Sequence, residues 1–129
     1  MNNLPTPAPI NYNDVMQANL SRVFGERDAA RRIAAIRELY ADDAMLYEPD
    51  ASAKGHVAIN EAVTALLALL TPNFLFSANG PAAGHHGVGR LRWGSGPGDS
   101  LPVVTGMDVA IFKGSLIHSL YVFLDPTAT

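Results

Sequence analysis

The order of apolar patterns along the chain predicts an α+β fold, in which helices cover one face of a curved, mostly antiparallel sheet. Helix-like spacing of apolar residues occupies the first half of the 129-residue sequence, and strand-like alternation occupies the second half. Elements in this order pack as a layer of helices on a layer of sheet. A sheet curved over helices leaves a pocket at its open end, where small apolar ligands bind.

Three helices are predicted in the first half. We expect Asn13 to cap the first helix, which ends near Gly25. The second helix begins near Asp28, and the third follows Gly55 and ends at Thr71. The apolar faces of the three helices contain Met16, Leu20, Val23 and Phe24, then Ile33, Ile36, Leu39 and Tyr40, then Ile59, Val63, Leu66, Leu67 and Leu70. The opposite face of the second helix is charged and is expected to be solvated; it holds Arg31, Arg32, Arg37 and Glu38.

Five strands are predicted, at residues 44–48, 74–78, 88–93, 103–112 and 116–124. The first strand follows an acidic break at Asp42 and Asp43, and it ends before Pro49, which has no amide hydrogen for a ladder. Lys113-Gly114 is a tight-turn signal between the last two strands. The Gly- and Pro-containing residues 95–100 are expected to form a longer hairpin loop.

The composition excludes several classes of function. The net charge is −3 and the basic residues are dispersed, so we expect neither a nucleic-acid partner nor a membrane partner. Without cysteine there is no disulfide, thiolate ligand or cysteine nucleophile. No signal peptide is evident, and the longest apolar run, residues 62–70, is shorter than the ~20 residues that span a bilayer, so we expect a cytoplasmic protein. With 48% apolar residues the chain supports one domain, at residues 13–129, after a flexible arm at residues 1–12.

An ordered set of short segments resembles the NTF2-like superfamily, in the branch of the SnoaL-like polyketide cyclases and ketosteroid isomerases. The match covers residues 13–125. The segments are Tyr40-Ala-Asp-Asp-Ala44, Glu48-Pro49, Gly55 to Ile59, His85-His86, Arg92-Trp93, Thr105-Gly-Met-Asp108, Phe112-Lys-Gly114 and Tyr121-Val-Phe-Leu-Asp125. The resemblance implies a cone-shaped barrel of helices and curved sheet (the cystatin-like fold), a homodimer through the outer sheet face, and chemistry that needs no cofactor.

The resemblance also implies two catalytic residues. Asp108 falls where ketosteroid isomerases hold a protonated aspartate as a hydrogen-bond donor and where SnoaL-type cyclases hold their acid/base aspartate. Glu48 falls where the isomerases have the aspartate that shuttles the proton. Ketosteroid isomerase is the established example of a carboxylic acid kept neutral by an apolar site, and the resemblance implies the same role for Asp108.

Asp108 also stands out by its position in an apolar strand. On strand parity it shares a face with Gly106, Ala110 and Phe112, while Met107, Val109 and Ile111 share the other face. Desolvation there would favour the neutral carboxyl and raise its pKa, as a general acid requires. An aspartate hydrogen-bonded to a neighbouring strand is the structural alternative.

The parity of the first strand leaves open whether Glu48 or Tyr47 faces the pocket, because the two residues point to opposite faces. A carboxylate at the end of a strand beside Pro49 is also often an exposed turn residue. Tyr121 either lines the pocket or fills the sheet.

The pair His85-His86 precedes a strand in which Leu91 and Trp93 alternate with two arginines. Without a bulge, His85 joins the Trp93 face and His86 the arginine face, so the pair does not readily bind one metal and no metal site is expected. At most one of them is a catalytic candidate, for proton transfer or for orienting Asp108, and we take His85. Residues expected to line the pocket are Tyr47, Trp93, His86, Phe112 and Tyr121. His56 and His118 are expected to be structural.

The departures from the family pattern limit the function. Ketosteroid isomerases have a tyrosine donor on the first helix, and the corresponding stretch near Ala18-Asn19 has none. Arg90 and Arg92 lack the neighbouring aspartate of epoxide hydrolases of this fold. Neither a Ser-His-Asp order nor a phosphate-binding loop is evident.

The sequence therefore supports two hypotheses. The first is a cofactor-independent cyclase, isomerase or lyase that acts on a small, largely apolar carbonyl compound, with Asp108 as general acid/base. The alternative is a non-catalytic module that binds an apolar ligand or dimerises. A homodimer is expected in either case, because outward apolar residues such as Val109 and Ile111 need cover.

Overall fold

The computed structural model describes residues 9–98 and 100–126. The helical elements are α1 (Tyr12–Asn19), a π-helical turn that continues it (Leu20–Phe24), α2 (Ala29–Leu39) and α3 (His56–Ala68). The strands are β1 (Tyr40–Glu48), β2 (Ala51–Lys54), β3 (Phe74–Ala78), β4 (Ala83–His85), β5 (Val88–Pro97), β6 (Val104–Lys113) and β7 (Leu116–Leu124). No helix in these two ranges is both long enough and apolar enough to cross a membrane.

The strands form one curved sheet in the order β2-β1-β7-β6-β5-β3, with β4 paired to β5. The β1–β7 pair is parallel and the other pairs are antiparallel. The predicted α+β fold with a mostly antiparallel sheet is therefore confirmed. The sheet does not close, so the cone is open between its two end strands, β2 and β3.

The hydrophobic core lies between the helices and the concave face of the sheet. Helical residues that are fully buried there include Met16, Ile36, Ile59 and Val63, and they belong to one cluster with the strand residues Leu46, Leu91, Ala110 and Leu120. This arrangement confirms the apolar helix faces expected from the sequence, except that Tyr40 is buried as the first residue of β1 and does not belong to α2. Burial of such side chains is the main favourable term in folding.

The first helix begins earlier than predicted. Its cap is Asn11, whose side chain accepts a hydrogen bond from the Asp14 amide, so the prediction of Asn13 as cap is wrong. Asn13 instead holds the chain after β3, because its Oδ1 accepts a bond of 2.8 Å from the Ala82 amide. Residues 1–8 of the predicted arm lie outside the described residues, and Tyr12, at its end, begins α1.

The first helix ends at Gly25, as expected, and its last turn is π-helical. The Gly25 amide donates to the Leu20 carbonyl at 2.8 Å, five residues back. The wider turn places Leu20 and Phe24 on the side that faces the sheet, and both are buried. A Cβ at Gly25 would lie 2.7 Å from the Ser21 carbonyl oxygen, which explains the glycine.

Arg32 is buried, so its predicted place on a solvated face is wrong. Its Nε donates to the Glu26 carbonyl at 2.9 Å, and its Nη1 donates to Asn60 Oδ1 at 2.9 Å and to Thr64 Oγ1 at 2.6 Å. The guanidinium thus ties the loop before α2 to the side of α3. Helix periodicity placed Arg32 with its charged neighbours because the pattern of one helix does not show that a second helix covers part of that face.

Several strand boundaries differ from the prediction. Asp42 and Asp43 lie inside β1 and not in a break, because the strand carries an irregularity in its pairing with β7 at this point and both side chains are exposed. The short strands β2 and β4 were not predicted. Ser95 and Pro97 belong to β5 and not to a loop, since β5 pairs with β3 along that stretch. Asp99, within the predicted loop, lies outside the described residues.

Replacing Arg32 with Met should destabilise the protein by about 2–4 kcal/mol, because it removes charge-assisted hydrogen bonds and leaves buried carbonyls without donors. Urea unfolding followed by circular dichroism measures this change. The matched control is Arg31→Met on the exposed side of the same helix, which should shift the free energy of unfolding by less than about 0.5 kcal/mol. Equal effects of the two substitutions would contradict this account of Arg32.

Candidate functional site

A cavity of about 240 Å³ lies between the π-helical turn, α3 and the concave face of the sheet. Its wall is mostly apolar and includes Leu20, Phe24, Leu66, Leu70, Phe76 and Val122. The polar residues that interrupt this wall are Asp108, Glu48 and Ser95. A cavity of this size exceeds the ~150 Å³ space that binds benzene and is below the ~300–1,000 Å³ typical of drug-sized ligands, so it suits a compound of one or two rings.

Asp108 points into this cavity because of its position in β6. Gly106, Asp108, Ala110 and Phe112 are buried in alternation, with the intervening residues half-buried or exposed. This alternation confirms the strand parity expected from the sequence. Asp108 itself is only 2% exposed.

Trp93 on β5 holds the Asp108 carboxyl in place. Its indole Nε1 donates a hydrogen bond of 2.9 Å to Asp108 Oδ1. The ring lies over Gly106, which is its direct cross-strand neighbour, and a Cβ at Gly106 would lie 2.6 Å from the indole Cζ2. The glycine therefore makes room for the indole that reaches Asp108. The other carboxyl oxygen, Oδ2, has no hydrogen bond to the described residues.

Burial raises the pKa of Asp108 from its ordinary value of 3.8 to about 7, and the Trp93 hydrogen bond opposes this rise. A carboxyl in an apolar wall loses the hydration that stabilises its charged form. Near neutral pH both protonation states are therefore populated. A group with such a pKa is able to act as a general acid or as a general base.

Glu48, and not Tyr47, faces the cavity, which resolves the choice that strand parity left open. Glu48 lies in the cavity wall at the end of β1, and burial raises the pKa of its carboxyl. Its Oε1 is buried and has no hydrogen-bond partner in the described structure. Tyr47 lies on the opposite face, where its ring stacks on Tyr121 with centroids 4.7 Å apart.

The Glu48 and Asp108 carboxyls lie at the same level of the sheet, on strands β1 and β6, with β7 between them. Tyr47 is level with Tyr121 in the parallel β1–β7 pair, so the next residues, Glu48 and Val122, are neighbours. Val122 in turn is the cross-strand partner of Asp108. Two strand spacings of ~4.8 Å separate the Cα atoms of Glu48 and Asp108 by roughly 10 Å. A flat ligand over Val122 would therefore have one carboxyl on each side.

Both histidines of the pair lie outside this cavity. His86 (φ 51°) and Gly87 (φ 79°) form a two-residue turn between β4 and β5, and His85 pairs with Val88 across it. The assumption of one unbroken strand was therefore wrong, and the parity argument for His85 does not apply. The two rings are exposed and contact each other, with their Nδ1 atoms 2.9 Å apart.

The remaining predicted lining residues divide between the two faces. Trp93 lines the cavity. Phe112 is buried on the same face as Asp108, but it packs edge-on against Tyr12 at the far end of β6, with ring centroids 5.2 Å apart. Tyr121 is not in the cavity wall, because it faces outward with Tyr47. No group of three histidine or carboxylate side chains suited to a metal occurs in the described part of the chain.

Sequence reasoning missed two further polar features. Ser95 was expected in a loop, although it continues the inward alternation of Leu91 and Trp93. Tyr40 is fully buried and donates a hydrogen bond of 2.5 Å to Asn19 Oδ1. Burial, and secondarily the charge of Asp108, raises the pKa of Tyr40 well above its usual range. The signal for this pair is Asn19, a polar residue on the apolar face of the first helix.

Solved structures share this fold. A candidate isomerase of the SnoaL-like family from Agrobacterium tumefaciens is 23% identical, with a TM-score of 0.82 over 89% of this chain and 97% of that one. A candidate polyketide cyclase from Sinorhizobium meliloti is 18% identical, with a TM-score of 0.64 over 84% of this chain and 93% of that one. A candidate ketosteroid isomerase from Kribbella flavida is 12% identical, with a TM-score of 0.67 over 92% of this chain and 80% of that one.

These likenesses define the class of the fold. Matched structures also include NTF2-like and cystatin-fold proteins. No family model matches the chain, and no curated protein matches it. The chain has the NTF2-like fold, and the resemblance stated from the sequence is confirmed at the level of the fold.

Replacing Asp108 with Asn should reduce the loss of stability that the wild type shows as the pH rises. At pH values between the ordinary pKa of Asp108 and its pKa in the native state, the folded protein keeps a proton on Asp108 that the unfolded chain has released. The free energy of unfolding therefore falls as the pH rises through this range. From about pH 5 to about pH 8 this group should cost the wild type about 2–3 kcal/mol, and the uncharged amide of the variant carries no such cost. Urea unfolding at the two pH values measures the difference.

The control for this measurement is Asp50→Asn, in the exposed turn after β1. It should leave the pH dependence of the wild type unchanged. A pH dependence of Asp108→Asn that equals the wild type's would show that Asp108 is ionised normally in the folded protein.

Proposed function

We propose that this protein is a cofactor-independent enzyme that transfers a proton on a small, largely apolar carbonyl compound, as isomerases, cyclases and lyases do. The observation that carries the proposal is the Asp108 carboxyl in the cavity wall, with one oxygen held by Trp93 and a pKa near neutrality. A buried acid without an ionic partner is costly for a fold that has no use for it.

Asp108 acts first as a hydrogen-bond donor and acid in this proposal. The Trp93 N–H disfavours protonation of Oδ1, so the proton of neutral Asp108 resides on Oδ2. From there it is shared with the carbonyl oxygen of the ligand. As negative charge develops on that oxygen, the donor stabilises it in surroundings of low dielectric constant, where such a hydrogen bond is strong.

Glu48 is the base of the same reaction. Its ionised carboxylate removes a proton from the carbon next to the carbonyl, the C–H electron pair forms the enol double bond, and the carbonyl oxygen takes the proton of Asp108. In an isomerisation, Glu48 delivers its proton to another carbon of the conjugated enol, and the enol hydroxyl returns its proton to Asp108 as the carbonyl re-forms. In a cyclisation, the enol carbon attacks a second carbonyl, the oxygen of that carbonyl takes the proton of Glu48, and the enol hydroxyl returns its proton to Asp108. The raised pKa of Glu48 makes it a stronger base than an exposed glutamate.

The names of the structural neighbours favour this chemistry over others. One is described as a candidate isomerase, one as a candidate polyketide cyclase and one as a candidate ketosteroid isomerase. One fold hosts many activities, however, so the assignment rests on Asp108 and Glu48 and not on the neighbours. The alternative is a protein that binds such a compound without transforming it, and the following experiment separates the two.

The wild-type protein should catalyse exchange of α-protons for deuterium in small cyclic ketones, with 1-tetralone as the first member of the panel. Proton NMR in D₂O measures the rate. Asp108→Asn should lower the rate by about 10²–10⁴-fold, because removal of a positioned acid has that effect. Glu48→Gln should also lower it, and Asp50→Asn should not.

Binding of the ketones, seen as chemical-shift changes in the protein, is recorded in the same samples. Binding without exchange above the uncatalysed rate would contradict the enzymatic proposal and support the non-catalytic one. Exchange that persists in Asp108→Asn would remove Asp108 from the mechanism.

We also propose that two copies pair through the outer face of the sheet. On the outer face, Val109 on β6 pairs with Tyr121 on β7, and Met107 pairs with Phe123. Phe123 is 55% exposed, and Ile111, two residues further along β6, is 40% exposed. An exposed apolar patch of this kind marks an interaction surface. Since the patch is continuous across two central strands, a second copy would cover it by twofold symmetry.

Light scattering should therefore give a mass twice the 13.7 kDa of one chain. Phe123→Lys should shift the protein to the monomer mass, because it places a charge within the patch. Leu69→Lys, at an exposed position after α3, is the control and should leave the dimer intact. A monomeric wild type would contradict the proposal.

A further inference from the structure

We propose that the compound bound in the cavity carries a second oxygen, a hydroxyl or a carbonyl, at the end opposite its reacting carbonyl, and that Ser95 binds this oxygen. The inference rests on the proposed function and narrows its substrate class. The preferred ligand is then a flat hydroxyketone or diketone of about two rings, and not a ketone with one polar end.

The first support is the state of the Ser95 hydroxyl. Ser95 lies in the cavity wall and is 3% exposed, and its Oγ is buried without a hydrogen-bond partner in the described structure. Buried hydroxyls are almost always hydrogen-bonded, because desolvation of an unpaired one costs free energy. A partner supplied by the ligand satisfies this hydroxyl when the site is filled.

The second support is the distance of Ser95 from the carboxyl pair. Ser95 pairs with Val104, whereas Asp108 lies four residues further along β6. At ~3.3 Å per residue this places the two levels roughly 13 Å apart. A two-ring compound with oxygens at opposite ends spans this separation with one hydrogen bond at each end.

The third support is the surface between the two ends. Trp93 lies between Ser95 and Asp108, and the ring of Phe76 packs beside it at a centroid distance of 5.8 Å. The one polar group of the Trp93 ring, the indole N–H, already donates its hydrogen bond to Asp108. The middle of the ligand therefore contacts flat apolar rings, and polar recognition is left to the two ends.

Ser95 is thus a specificity-determining residue in this proposal. A hydroxyl both donates and accepts, so it pairs equally with a ligand hydroxyl or carbonyl. A site built to hydrogen-bond a ligand group discriminates against the analogue that lacks the group, because its own polar atom then stays unpaired. Apolar contacts alone would not distinguish the two ligands in this way.

The experiment compares 6-hydroxy-1-tetralone with 1-tetralone, which differ by one hydroxyl at the end opposite the carbonyl. Dissociation constants are measured by NMR titration for the wild type, Ser95→Ala and Ser95→Cys. The wild type should bind the hydroxyketone about tenfold more tightly than the ketone, the factor expected for one neutral hydrogen bond of ordinary strength. In both variants the ratio should fall to about one, with the affinity for 1-tetralone changed less than about twofold.

Two controls make the result specific. Ser77→Ala, on the exposed side of β3, should keep the wild-type ratio. Ser95→Cys keeps the side-chain size and is a weak donor, so it reports on hydrogen bonding if Ser95→Ala should fail to fold.

The outcomes separate this inference from the proposed function. Binding of both ketones with a ratio that Ser95→Ala and Ser95→Cys leave unchanged would overturn the role of Ser95 while the proposed function stands. A wild type that prefers 1-tetralone would also overturn it. Failure of the wild type to bind either ketone would contradict the proposed function, and the inference would fall with it.

Discussion

The hydrogen bond from the Trp93 indole to the Asp108 carboxyl is the interaction on which the site depends. It requires Gly106, because any side chain there would occupy the space of the indole ring. It also requires β5 and β6 to pair in the observed register, with Trp93 opposite Gly106 and Asp108 two residues further along β6. A shift of one residue would turn Asp108 to the outer face, since side chains alternate along a strand. The register of β5 on β6 therefore fixes both the position of the Asp108 carboxyl in the cavity and its hydrogen bond to Trp93.

Several polar groups in and around the cavity are kept at a cost to stability. Glu48 Oε1 and Ser95 Oγ are buried without partners in the described structure, and Asp108 has a raised pKa because its charged form is poorly solvated. Such groups destabilise a folded protein unless a ligand pairs with them. Arg32 shows the contrasting case, because each part of its buried guanidinium finds an acceptor on the protein itself. Among the described residues, two of the three buried side-chain atoms without a partner lie in the cavity wall, and the third, Asn19 Nδ2, lies beside Tyr40 outside that wall. Ligand pairing accounts for the two in the wall.

The shape of the cavity follows from irregularities in the elements around it. The π-helical turn at the end of the first helix brings Leu20 and Phe24 onto the cavity wall, and such turns often occur at functional sites. The sheet remains open between β2 and β3, so the space under its concave face is not filled by further strands. The apolar residues that line this space exclude water, which strengthens the interactions of the few polar groups within it.

The sequence by itself determined the three helices, the order of the five longer strands among them, and that Asp108 shares a strand face with Gly106, Ala110 and Phe112. These features follow from periodicities of 3.6 and 2, which are local properties of the chain. Only the tertiary structure decided that Glu48 faces the cavity and Tyr47 does not, and that Ser95 extends a strand toward it. It also decided that the His85-His86 pair lies outside the cavity, with His86 in a turn. Arg32 was misplaced for the same reason, and the hydrogen bond of Tyr40 to Asn19 was missed. Both depend on elements distant in sequence, and the pattern of one segment does not show what packs against it.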